Sequence, residues 1–365
     1  MAAVDPRVQQ YAKLIVERSV DVQPGWQVMV NANVVGRPLI EEVVRLIARR
    51  GAYPLVRLSW IDSEQVPFEC LWGSEAPVEM LPQMAPIEAL EREQVDAQIL
   101  IWAAENTRAA TLLPADRRAE LRKASAAWNQ RRLSGDFRWV GCLYPTDALA
   151  QEAAMPLATY EDFVYGATLL DWDAEGARMR RYADRFDVAE TVRIVGPGTD
   201  LTFSLAGRTA VVDDGHYNMP GGEFFTSPVE DSAEGEVVFG EFPAVYNGRE
   251  VRGIRLRFEG GKVVDAAAEG GEDYLLEQLD RDEGARRLGE LGIGCNPGIT
   301  RHMKNTLFDE KMDGTVHLAL GNGLPDVGGE NVSQIHWDIV KEMRAEGSRI
   351  ELDGKPVQES GRWLV

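Results

Sequence analysis

The chain has 365 residues, 44% of them hydrophobic and 27% charged, a length that suits two globular domains or one large one, with cores that need no disulfide or structural metal. Lys and Arg total 39 against 59 Asp and Glu, a formal charge of −20, and so acidic a chain is not built to grip nucleic-acid phosphates or anionic lipid. Apolar runs such as residues 97–104 fall far short of the roughly 20 residues a membrane span needs, and the opening Met-Ala-Ala-Val-Asp-Pro lacks a basic or apolar signal region, so a cytoplasmic protein is expected.

In chain order, Val8, Tyr11, Ala12 and Ile15 recur at helical spacing until Pro24-Gly25 breaks the pattern. Residues 26–30 read as a short buried strand. The spacing of Ile40, Val43, Val44 and Ile47 predicts a helix over residues 38–50, with Gly51 as its stop. Apolar runs at 53–58, 98–103 and 139–143 are separated by helical stretches, and strands alternating with helices predict a mostly parallel sheet. The Ala- and Arg-rich stretch 160–188 reads as wholly helical. Residues 1–190 are therefore expected to form an α/β N-terminal domain.

From Thr191 the texture changes. Residues 192–195 and 201–205 read as strands of a hairpin around Gly196-Pro197-Gly198, and Ile254, Leu256 and Phe258 alternate with Arg255 and Arg257 as in a half-buried strand. Residues 262–267 are placed to pair with it across Gly260-Gly261. A helix is predicted to start near Asp280, where Glu283 three residues on fits a capping box, and Glu290 is expected to close a helix over 285–290. Residues 191–365 thus form an expected α+β C-terminal domain. The three cysteines, Cys70, Cys142 and Cys295, are widely spaced among apolar residues and spell neither a disulfide framework nor a zinc knuckle.

All four histidines, His216, His302, His317 and His336, follow residue 190, so histidine-based chemistry belongs to the second domain. His336-Trp337-Asp338 lies in a predicted strand, where residues i and i+2 project to one side. An imidazole beside a carboxylate suits a divalent metal, and suits equally a hydrogen-bonded pair in a core. His317 stands in the middle of the apolar run Gly314-Thr315-Val316-His317-Leu318-Ala319-Leu320-Gly321. Glu310 follows Leu307-Phe308-Asp309, Glu290 precedes Leu291-Gly292-Ile293, and Glu223 lies between Met219-Pro220-Gly221-Gly222 and Phe224-Phe225. Each glutamate alone reads as a solvated surface charge. Three together with His317, His336 and Asp338 would make a two-metal cluster, and the residues by themselves leave both outcomes open. His216, in a polar turn, and His302, in a flanking segment, are not expected to be ligands. Gly196-Pro197-Gly198-Thr199-Asp200 lacks phosphate-loop spacing, and no Gly-x-Ser-x-Gly elbow is present.

Four ordered segments nevertheless resemble one family. Met219-Pro220-Gly221-Gly222-Glu223-Phe224-Phe225-Thr226-Ser227-Pro228 resembles the first signature of the thermophilic metallo-aminopeptidases, the relatives of aminopeptidases T and S. Asp282-Glu283-Gly284-Ala285-Arg286-Arg287-Leu288-Gly289-Glu290 is similar to the second. Asn305-Thr306-Leu307-Phe308-Asp309-Glu310-Lys311, leading to Gly314-Thr315-Val316-His317, is similar to the third. Gly328-Gly329-Glu330-Asn331-Val332-Ser333-Gln334-Ile335-His336-Trp337-Asp338 is similar to the fourth. The resemblance implies that Glu223, Glu290, Glu310, His317, His336 and Asp338 hold a pair of divalent ions, and oxygen-rich ligation of that kind suits Zn, Co or Mn. It also implies a peptide substrate with a free N-terminus, and a homodimer. One position departs: where the family has a tyrosine implicated in catalysis after Gly-x-Gly, Gly321-Asn322-Gly323 is followed by Leu324.

Two other functions compete. His317, His336 and Asp338 alone would make the facial triad of a mononuclear iron ring-cleaving dioxygenase, which has no need of Glu223, Glu290 and Glu310 together. Leu324 fits a catalytically weak peptide- or metal-binding homologue.

Overall fold

The computed structural model describes residues 5–59, 70–109, 113–133 and 137–364. The opening residues 1–4 and the Cys70 side chain lie outside what is described. The chain divides into two compact units, Met1–Leu169 with Gly215–Pro220, and Leu170–Asp214 with Gly221–Val365.

The first unit is α/β. Among its described residues five strands, all parallel, run in the order Tyr53–Ser59, Gln27–Asn33, Ala97–Trp102, Arg138–Leu143 and Asn218–Met219. Helix Arg37–Arg49 buries Leu39, Ile40, Val43 and Ile47, the apolar stripe its spacing predicts. It stops at Gly51, whose φ of +75° few other residues adopt. The opening helix Pro6–Lys13 is capped by the Asp5 side chain, which accepts from the Arg7 N–H, and buries Val8, Tyr11 and Ala12.

The stretch 160–188 is two helices rather than one. Leu157–Thr168 ends before Leu169, and Asp171 restarts the chain by accepting from the Ala174 N–H at the head of Trp172–Phe186. The unit boundary falls at this break. Trp172–Phe186 then belongs to the second unit, where Met179, Ala183 and Phe186 enter its core.

That second unit holds two large antiparallel sheets. Eight strands run Lys262–Ala267, Ile254–Glu259, Glu234–Phe239, Thr199–Ser204, Thr191–Gly196, Arg349–Leu352, Lys355–Glu359 and Arg362–Trp363. Both hairpins expected here, at 191–204 and 254–267, are present. Five further strands run His336–Glu342, Thr315–Gly321, Leu288–Gly294, Glu223–Thr226 and Val211–Asp213. Side chains from both sheets fill one core, among them Leu201, Phe203, Val237 and Leu256 from the larger and Phe224, Leu291, Val316 and Trp337 from the smaller.

The helix expected from Asp280 does not form. Asp280 is instead the C-cap of helix Glu272–Leu279, and its carboxylate binds Arg286 at 2.7 Å. Glu283–Arg286 is a single 3-10 turn. Glu290, expected at a helix end, sits inside strand Leu288–Gly294, every residue of which is buried. Leu291 and Ile293 alternate there with Gly292 and Gly294, a period of two that the sheet enforces over a short helical propensity.

Candidate metal centre

The five-stranded sheet sorts its residues by parity. Phe224, Leu291, Ile293, Val316, Leu318, Trp337 and Ile339 turn to the core, and the alternate positions Glu223, Glu290, His317, His336 and Asp338 fall on the other face. Register then sets their spacing. Glu290, Ala319 and Asp338 form one row across three neighbouring strands, and Gly292, His317 and Val340 form the next. Small residues leave room between the polar ones. At Gly292 that room is obligatory, because a Cβ there would come 1.9 Å from the His317 ring.

Both imidazoles are oriented by the main chain. His317 Nδ1 lies 3.0 Å from the Glu310 carbonyl oxygen, and His336 Nδ1 lies 2.9 Å from that of Asn322. A carbonyl only accepts, so each Nδ1 carries hydrogen and donates, and each Nε2 is left to face the cluster. His317 Nε2 is 3.3 Å from Glu290 Oε1 and 3.6 Å from Glu223 Oε2. His336 Nε2 is 3.0 Å from Glu290 Oε2 and 3.4 Å from Asp338 Oδ1. An imidazole lone pair aimed at carboxylate oxygens requires a cation between them, either a proton or a metal.

Geometry favours a metal. Glu223 Oε2 and Asp338 Oδ1 are buried with no hydrogen-bond partner, an arrangement that costs free energy unless a cation satisfies it. Ligand atoms of Glu223, Glu290 and His317 lie within 4.8 Å of one another, as do those of Glu290, His336 and Asp338. Glu290 belongs to both groups and offers one oxygen to each. Glu223, Glu290 and His317 are buried, whereas the His336 side chain is 32% exposed, so the cluster is reached from the His336 edge.

Titration of these groups follows from the same contacts. Burial disfavours charge on His317, but the hydrogen bond and charge of Glu290 outweigh it and push the imidazole up to about 10. His336 is likewise held well above its ordinary value, by Asp338 and Glu290 against burial. Burial would raise Glu290, yet its bonds to His317 and His336 keep it well below the usual carboxylate range. Burial pushes Glu310 up to about 8, against the pull of Lys311.

Five of the six expected residues therefore converge, and Glu310 stands in neither group. It follows the short helix Thr306–Asp309 and binds the Lys311 ammonium. Lys311, which no reading of the sequence singled out, is wholly buried, and its Nζ also lies 2.8 Å from Glu223 Oε1. Beside a glutamate in a mixed-charge segment it has the look of a surface lysine. His302 is outside both groups, stacked on Phe242 and 3.2 Å from Asp309 Oδ2, and so is His216. Cys142 and Cys295 are buried free thiols that burial pushes upward. The Leu324 N–H donates to Ser227 Oγ at 3.0 Å, and that hydroxyl donates to the Gly289 carbonyl.

Residues 4–363 match the model of the thermophilic metalloprotease (M29) family. The chain belongs to that family. As a member it is a metalloprotease and hence a hydrolase of peptide bonds, and the resemblance seen in the four signatures holds. The chain is 28% identical to aminopeptidase 2 of Geobacillus stearothermophilus, over 98% of each chain. Its fold is similar to that of wild-type AmpT from Thermus thermophilus, with a TM-score of 0.80 and 26% identity over the whole of both chains. A second solved structure, 2,5-dihydroxypyridine dioxygenase from Pseudomonas putida KT2440, has a TM-score of 0.61 at 15% identity, covering 100% of this chain and 99% of that one; that likeness concerns the fold alone. Among the described residues, no helix is long and apolar enough to cross a membrane.

Proposed function

We propose that this M29 metalloprotease is a cytoplasmic, homodimeric aminopeptidase that releases N-terminal residues from peptides at a centre of two divalent ions. Glu223, Glu290 and His317 would hold one ion and Glu290, His336 and Asp338 the other, with Glu310 outside both groups on Lys311. The observation that carries this reading is the shared Glu290, with an Nε2 from a carbonyl-anchored histidine against each of its oxygens. Mixed oxygen and imidazole ligands of this kind suit Zn, Co or Mn without sharp selection. When bound, such ions supply an activated water near neutral pH and polarise the scissile carbonyl.

The chain's own residues do the rest. Asn322 and Glu310 fix both imidazoles through their carbonyls, so neither ring must reorient. A peptide entering at the His336 edge meets a pocket lined by carboxylates, which would draw its free α-amine and account for cleavage at an N-terminus. The oxygenase alternative requires only His317, His336 and Asp338, and gives Glu223 and Glu290 no reason to converge on the same rings.

His336→Ala and Glu290→Ala each test this. Both should lower hydrolysis of aminoacyl-p-nitroanilides below detection and reduce bound metal, while circular dichroism stays that of the wild type. Full metal occupancy in either variant would refute the ligand assignment. Iron-dependent ring cleavage without peptidase activity would establish the oxygenase instead.

A further inference from the structure

Lys311 is the one feature of the cluster that the peptidase reading does not use. Its ammonium is entirely buried, 2.8 Å from Glu223 Oε1 and bonded to Glu310 Oε1. It therefore takes one oxygen from each of two carboxylates on the Glu223 side of the site. Among the described residues no ammonium contacts the carboxylates on the other side. Among the described residues Asp338 Oδ1 has no hydrogen-bond partner, and His336 Nε2 is the cationic group near both Glu290 Oε2 and Asp338 Oδ1.

We infer that Lys311 is a built-in cation that makes the two metal positions unequal, leaving one tightly held ion at Glu290, His336 and Asp338 and a weak, exchangeable one at Glu223, Glu290 and His317. The inference rests on the metal-dependent reading above. Its physical basis is charge and donor count. A dication at the Glu223 position must share that carboxylate with an ammonium already in contact with it, and like charges at such range repel strongly where water is excluded. Glu310 cannot compensate while it too is bound to Lys311. A second ion on this side must either displace the lysine or bind beside it.

Equilibrium dialysis of the chelator-stripped full chain against Zn²⁺, with bound metal counted by atomic emission, tests this without reference to activity. The first equivalent should saturate at a free Zn²⁺ concentration at least about tenfold below the second, a difference that each decade of Kd defines. In Lys311→Met the two midpoints should draw together by about tenfold, through tightening of the second. Two equivalents with one common midpoint in the wild type would overturn the inference and leave the peptidase reading standing. So would a folded Lys311→Met variant whose two midpoints keep their wild-type separation. Should that variant not fold, the wild-type isotherm alone decides. Failure to bind even one equivalent would overturn the metal-dependent reading itself, and this inference with it.

Discussion

His317 and His336 each commit one ring nitrogen to a main-chain carbonyl and the other to a carboxylate. The room for that arrangement comes from a residue with no side chain. Gly292→Ala would place a methyl 1.9 Å from the His317 ring, so either the strand or the imidazole must shift. Overpacking of this kind costs about 1–3 kcal/mol; a lowered midpoint in denaturant unfolding together with weakened metal binding is expected. A variant of wild-type stability and metal content would show that the ring has space to spare. Leu324 belongs to the same scale. A tyrosine there, as the family resemblance implies, could donate to the oxyanion formed on attack, and losing one such donor costs about 10²–10³ in turnover. Leu324→Tyr is expected to raise kcat by at least about tenfold at little changed KM. Steady-state kinetics on one dipeptide decide it, and an unchanged kcat in a folded variant would mean that another group fills the role.

At the scale of the element, one sheet does two jobs because its period is two. Trp337, Leu318 and Leu291 close the core, while the positions between them carry charge. Burying that charge has a consequence for stability. In the chain without metal, burial opposes charge on His317, but Glu290 pushes it from 6.5 up to about 10. A group whose folded value is raised stabilises the fold fully below its unfolded value and loses that contribution as pH climbs through the folded one. Glu310, which burial moves from 4.5 up to about 8, acts in the same sense. The thermal midpoint of chelator-treated wild type should therefore exceed that of His317→Gln at pH 7, and the gap should narrow as pH approaches 10. A gap that widens with pH would contradict the assignment of the proton to this cluster.

For the whole molecule, the proposed reading puts the chemistry on carboxylates and imidazoles and gives the thiols no part in it. Cys142 and Cys295 are buried and unpaired, and neither enters a metal group. Chelators should inactivate the protein reversibly, and reductants should not affect it. Replacing Cys70, Cys142 and Cys295 together by Ala or Ser should preserve specific activity in any variant that folds. A folded but inactive triple variant would assign the thiols a role they lack here.

What the sequence determined by itself was periodicity and short-range pattern. The helix at Arg37–Arg49, the parallel run of apolar strands and the hairpins around Gly196-Pro197-Gly198 and Gly260-Gly261 were legible because each depends on residues a few positions apart. The order of the four signatures likewise pointed to Glu223, Glu290, Glu310, His317, His336 and Asp338, of which the fold gathers all but Glu310 into two groups. Sequence failed where a distant partner overrides a local preference. Asp280 and Glu283 have the spacing of a capping box, yet Arg286 claims Asp280 and strand pairing with Thr315–Gly321 and Glu223–Thr226 draws Glu290 into the sheet. It also failed at Lys311, since only the folded sheet brings Glu223, 88 positions away along the chain, against a lysine that looks solvated in its own segment. Tertiary structure decided convergence: which carboxylate stands over which imidazole is a matter of register between strands, and register is written in the sheet as a whole.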